Sequence, residues 1–115
     1  MPVMTKHGRR RVSQRNGVGG KSAEKLVRRA WKHGITHYEA ENELKKMMDK
    51  TFLSHRNTTK IMFYGNSLYL FHNDIFITAL TVGQNIMDDL DNNVNEYALC
   101  RYREFKEHIK RTNRR

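Results

Sequence analysis

Two turn signals, Gly65-Asn66-Ser67 and Asn73-Asp74, divide the middle of this 115-residue chain into three short runs of β-formers, Lys60 to Tyr64, Leu68 to His72 and Ile75 to Val82. Loops this short join antiparallel neighbours, so the segment reads as a three-stranded meander. With two residues in each loop, Ile61, Phe63, Leu68, Leu70, Ile77 and Ala79 fall on one face, and Met62, Tyr64, Tyr69, Phe71, Phe76 and Thr78 on the other. Both faces are apolar, and helices must cover them.

The flanking segments have helical spacing. Ser22 suits an N-cap, Ala23, Leu26, Val27, Ala30 and Trp31 share one face, and Gly34 is a stop. A second helix is expected from Thr36, where Thr36-x-x-Glu39 has the capping-box pattern, with Ala40, Leu44, Met47, Met48 and Thr51 as its buried stripe. Its acidic start, Glu39, Glu41 and Glu43, suits the helix dipole and should face away from a polyanion. After Gly83 a long helix to about Thr112 carries Ile86, Leu90, Val94, Tyr97, Ala98, Tyr102, Phe105 and Ile109 at steps of three and four, with a break signal at Asp91 to Asn95. The expected fold class is therefore α+β: two N-terminal helices, a three-stranded antiparallel β-meander and a long C-terminal helix. Residues 1–21 read as a flexible basic arm, 22–112 as a single domain and 113–115 as a basic tail, because the arm's Gly- and Arg-rich run cannot offset its own ordering entropy.

The net charge of +10 is segregated: ten Lys or Arg against one acid in residues 1–34, seven against two in 101–115, and five against nine between. Cationic ends on an apolar, mildly acidic centre are what neutralising phosphates and releasing counterions requires, so nucleic acid or a nucleoprotein complex is the expected partner. The expected contacts are Arg9, Arg10, Arg11, Arg15 and Lys21 in the arm, Arg28, Arg29 and Lys32 on the first helix, and Arg101, Arg103, Arg114 and Arg115 at the end. Arginine's forked donors suit phosphate. A second reading from the same charge is binding to an acidic protein surface.

Gly17-Val-Gly19-Gly20-Lys21-Ser22 ends like a phosphate-binding loop, but Arg15 stands where the first glycine belongs and no apolar strand precedes it. Nucleotide hydrolysis is set aside. The six histidines show no ligand spacing, His33 and His37 falling on different elements, so neither metal nor other cofactor is expected. Cys100, alone and inside a helical pattern, reads as a buried structural cysteine of a reducing, cytoplasmic compartment. The first residues, MPVMTKHGRRRV, have no apolar run of the signal-sequence kind, and no stretch is long enough to span a membrane. An aromatic sheet face bearing Tyr64, Tyr69, Phe71 and Phe76 could stack unpaired bases, but it is better read as packed beneath the C-terminal helix. If the chain cleaves RNA, His55, Arg56, Lys60 and Tyr64 are the candidates for base, acid and phosphate-binding cations.

The order helix, helix, meander, helix over Ala23 to Ile109, with a last strand FITALTVG, resembles the RelE-type messenger-RNA-cleaving toxins of the barnase-like class. That resemblance implies a metal-independent ribonuclease. Gln84-Asn85 stands where the family commonly has histidine or arginine, and no strand precedes the first helix. Leu53, Ser54 and Arg56 ahead of Tyr69, Phe71, Ile77 and Thr78 are also similar to a pattern in short basic proteins of Gram-positive bacteria, their phages and mobile elements. This second resemblance carries no established activity; the role expected from the charge is that of a non-catalytic nucleic-acid binder of a phage or mobile element, acting as a regulator or as an inhibitor of a host nucleoprotein.

Overall fold

The computed structural model describes residues 3–4 and 20–113. In chain order the elements are β1 (Val3–Met4), α1 (Gly20–His33), β2 (Ile35–Thr36), α2 (Asn42–Ser54), β3 (Lys60–Tyr64), β4 (Ser67–His72), β5 (Ile75–Thr81), α3 (Gln84–Met87), α4 (Leu90–Asn93) and α5 (Glu96–Asn113). The α+β class is as expected, and the meander β3-β4-β5 forms the centre of a five-stranded sheet ordered β1-β5-β4-β3-β2. β2 extends the antiparallel set at β3, and β1 lies parallel to β5, Val3 beside Ile75 and Met4 beside Phe76. A strand therefore does precede the first helix, within the stretch read as an arm. Residues 5–19 of that stretch lie outside the described residues, as does most of the tail at 113–115.

Both hairpins turn where expected, through Gly65 (φ 63) and Asn73 (φ 53), left-handed positions that glycine and asparagine tolerate best. The β3–β4 register is the regular one, pairing Ile61 with Leu70 and Met62 with Tyr69. Between Leu70 and Phe71, however, a bulge shifts β5: Phe71 opposes Phe76 as expected, but Leu70 opposes Thr78 and Tyr69 opposes Ala79. Thr78 and Ala79 thus exchange the faces expected of them, because one extra residue reverses every later side chain. The Thr78 hydroxyl is left buried without a hydrogen-bond partner.

The helices start and stop differently from their sequence signals. α1 begins two residues before Ser22. Half of the Thr36–Glu39 box forms: Thr36 N–H and Oγ1 both donate to Glu39 Oε1 at 3.0 and 3.1 Å, while the Glu39 N–H goes to the Thr36 carbonyl instead of the hydroxyl. It closes a turn rather than a helix, since Ala40 then bridges to Val94 and α2 starts only at Asn42, whose φ is 49. The Asp91–Asn95 break is real and divides the expected long helix into α3, α4 and α5. Its asparagines cap what they interrupt: buried Asn93 accepts the Leu44 N–H of α2 at 3.1 Å and donates to Asp89 C=O, while Asn95 Oδ1 accepts the Ala98 N–H of α5. The break also changes the helical phase. Leu99 is buried and Cys100 exposed, contrary to the structural role expected for the cysteine, and Tyr97 is 80% exposed.

Each sheet face is covered. α1 lies on the Met62–Tyr69–Phe71 side, burying Ala23, Val27 and Ala30, with Trp31 edge-on to Phe71 at 4.8 Å. On the Ile61–Phe63–Leu68–Leu70 side the core is closed by Leu44 and Met48 of α2, Val94, and Ala98, Leu99 and Tyr102 of α5. The aromatic face is buried, as expected, but mainly under α1 rather than the C-terminal helix. Among the described residues, no helix is long and apolar enough to cross a membrane.

Candidate nucleic-acid interface

With Ala23, Val27 and Ala30 turned to the sheet, helical geometry leaves Lys25, Arg28 and Lys32 on the exposed side of α1. Arg29 is placed differently. It is half-buried and lies against the Tyr64 hydroxyl at the end of β3. α1 can reach that position because Gly34 lets it end directly on β3: a Cβ there would stand 2.5 Å from Ala30 O and 3.0 Å from Phe63 O.

α5 arrives at the same corner from the other side of the sheet. Its Tyr102 hydroxyl accepts the Gly65 N–H of the β3–β4 turn at 2.7 Å, and its ring packs between Phe63 (6.0 Å) and Tyr64 (5.9 Å, edge-on). One residue-triplet further, Phe105 lies flat against His33 of α1, with ring centres 3.8 Å apart and planes at 12°. The last turn of α1 and the second half of α5 are thereby locked together. Lys106 then falls over the Tyr64 ring, its ammonium 4.7 Å from the centroid.

The result is a cluster of like charges. Lys106 has its pKa lowered by burial first, and then by the positive charges of Arg29 and Lys110. His33 is held below its ordinary 6.5 by burial, Lys32 and Arg101. Burial raises Tyr64, with Arg29 working against the rise, and pushes Tyr69 and Tyr102 up to about 12. All three phenols are neutral donors or ring faces at pH 7. Among the described residues, no carboxylate pairs with Arg29, Lys32, Lys106 or Lys110. Cations gathered with no ion-pair partner among the described residues are chemically able to take up phosphates.

The other flank of α5 is the reverse in sign. Asp91, Glu96, Glu104 and Glu107 line a groove of about 700 Å³ together with Leu99, Cys100 and Arg103. A polyanion would meet less repulsion on the α1 side, although Glu107 also borders Lys106 and Lys110.

The residues expected to bind nucleic acid divide accordingly. Arg28, Arg29 and Lys32 stand on this surface. Arg101 spends its fork on Glu39, with bonds of 2.7 and 3.1 Å, and Arg103 pairs with Asp91 at 3.0 Å. Burial alone would raise the Glu39 pKa, but the Arg101 fork and the Thr36 bonds outweigh it and hold the carboxylate ionised. Glu39 thus belongs to a structural ion pair and not to the start of α2. Arg9, Arg10, Arg11, Arg15, Arg114 and Arg115, and the Lys21 side chain, lie outside the described residues. Lys106 and Lys110 were not singled out by the sequence. Their spacing of four, in step with Tyr102, was the available signal, but only the α1–α5 contact turns it into a site.

The cleavage candidates do not converge. His55 bonds its neighbour Ser54, Lys60 rests over the Trp31 ring at 4.3 Å, Tyr64 faces Arg29 and Lys106, and Arg56 is an exposed loop residue. Lys60 and Tyr64 are separated by four residues of extended strand, about 13 Å. His72 is exposed and turned onto Asn57 C=O at 2.6 Å. Compared with protein-family models, with curated proteins and with solved structures, the chain matches none.

Proposed function

We propose that this protein binds nucleic acid without cleaving it, through the surface that α1 and α5 form around Tyr64. The observation that supports this reading is the cluster of Arg29, Lys106 and Lys110, with no ion-pair partner among the described residues, extended along α1 by Arg28 and Lys32. Assembling like charges costs free energy in the unbound protein, and phosphates recover that cost on binding. Lysine and arginine contacts of this kind position a backbone and do not read sequence. The scattered positions of His55, Arg56, Lys60 and Tyr64 favour binding over cleavage. A regulator, or an inhibitor that occupies a nucleoprotein, is the role such a surface suits.

The test separates position of charge from amount of charge. A triple variant Arg29→Gln/Lys106→Met/Lys110→Met should lose most of the affinity for fluorescent single- and double-stranded oligonucleotides in anisotropy titrations. A control that removes as many charges from α2, Lys45→Gln/Lys46→Gln/Lys50→Gln, should bind nearly as the parent does. Equal losses in the two variants would defeat the proposal, and messenger RNA cut in chelator by the parent protein would replace binding with catalysis.

A further inference from the structure

Resting on that reading, we infer that the cleft beside Tyr38 is a pocket for one unpaired nucleobase, which makes single-stranded nucleic acid the preferred ligand. Tyr38 is 91% exposed, in the turn between β2 and α2, a position where burial contributes nothing to keeping an aromatic ring. Beside it opens a cleft of about 390 Å³, lined by Thr36, His37, Phe52, Thr59, Lys60 and Ile61. That volume accommodates a planar base with room to spare, and the walls are of the kind that bases stack on.

The His37 ring is held in place. The His37 ring is edge-on to Phe52, with centres 5.5 Å apart at 89°, and inclined at 66° to Tyr38 at 6.0 Å. Asp49 holds it there, accepting from Nε2 at 2.5 Å. The His37 Nδ1 makes no hydrogen bond among the described residues and is left to exchange one with a base. Every base has an N–H on its pairing edge, and that edge is free only in an unpaired strand. Lys60 provides the phosphate-side cation: it lines the cleft, and its ammonium lies over Trp31 of α1, the helix that also bears Arg28 and Lys32. The pocket therefore adjoins the basic helix of the proposed interface.

The experiment compares a short unstructured oligodeoxynucleotide with an abasic strand of the same length and with the corresponding duplex, by anisotropy at low salt. The base-bearing strand should bind about tenfold more tightly than the abasic one, the gain expected from stacking one base. Tyr38→Ala should remove that advantage and Tyr38→Phe should keep it. With so exposed a ring, thermal melting should be the same for both variants. Equal binding of base-bearing and abasic strands, or an unchanged preference in Tyr38→Ala, would overturn the pocket and leave the cation surface standing. Absence of binding to all three probes would overturn the surface and the pocket together.

Discussion

The Lys106 ammonium stands 4.7 Å from the centre of the Tyr64 ring, and the same lysine lies in the repulsive field of Arg29 and Lys110. The ring face attracts the charge while burial and two like charges oppose it. Under the proposed function, a side chain in that position should favour binding at the expense of the free fold.

Lys106→Met should therefore act in opposite directions on stability and affinity. Because folding lowers the lysine's pKa, the folded state disfavours its charged form at neutral pH, and a neutral chain of similar length should raise the melting temperature. The same change should weaken oligonucleotide binding about fivefold at low salt. Calorimetric melting and anisotropy on one preparation read both effects, and a variant that is less stable and binds equally well would contradict the assignment.

If the α1–α5 surface binds phosphates, His33 should couple that binding to pH. Burial, Lys32 and Arg101 keep its folded pKa below 6.5, so the unfolded chain takes the proton first, and this group's contribution to stability is lost as pH falls below about 6.5. A phosphate placed nearby would reverse the field and raise the pKa. Affinity for an oligonucleotide should then increase as pH falls from about 7.5 to about 5.5, with His33→Asn removing the part due to this ring. A pH profile identical in the two proteins would exclude the linkage.

Gly34→Ala should test how α1 reaches the site. The added methyl would stand 2.5 Å from Ala30 O and 3.0 Å from Phe63 O, both backbone atoms that cannot step aside cheaply. A loss of about 2 kcal/mol in urea unfolding is expected. A neutral effect would mean that the helix–strand junction is looser than drawn.

The bulge has its own signature. Thr78 carries a hydroxyl buried without a partner on the Leu70 face, so Thr78→Val should stabilise the fold by about 1 kcal/mol, read from the urea midpoint. Destabilisation of similar size would restore the regular register.

What the sequence made legible was local. Gly65-Asn66 and Asn73-Asp74 are turn chemistry, and the Ala23–Val27–Ala30 stripe is a periodicity, so hairpins and first helix could be read directly. β2 has two residues and exists only because Ile35 meets Phe63, which no local pattern records. The bulge at Leu70 and Phe71 reversed Thr78 and Ala79, and the break at Val94 exposed Cys100 and Tyr97, because one residue out of phase is enough in either kind of element. The site needed more than segregated charge. Arg101 and Arg103 looked like Lys106 and Lys110 until the fold gave the first two carboxylates and left the others against Tyr64 and Arg29.

The salt dependence of oligonucleotide affinity decides whether the α1–α5 surface grips phosphates. In a plot of log Kd against log salt for a single strand, the triple variant Arg29→Gln/Lys106→Met/Lys110→Met should show a slope smaller than the parent's by about 2, the share of three phosphate contacts. A slope that the triple variant leaves unchanged would contradict the account.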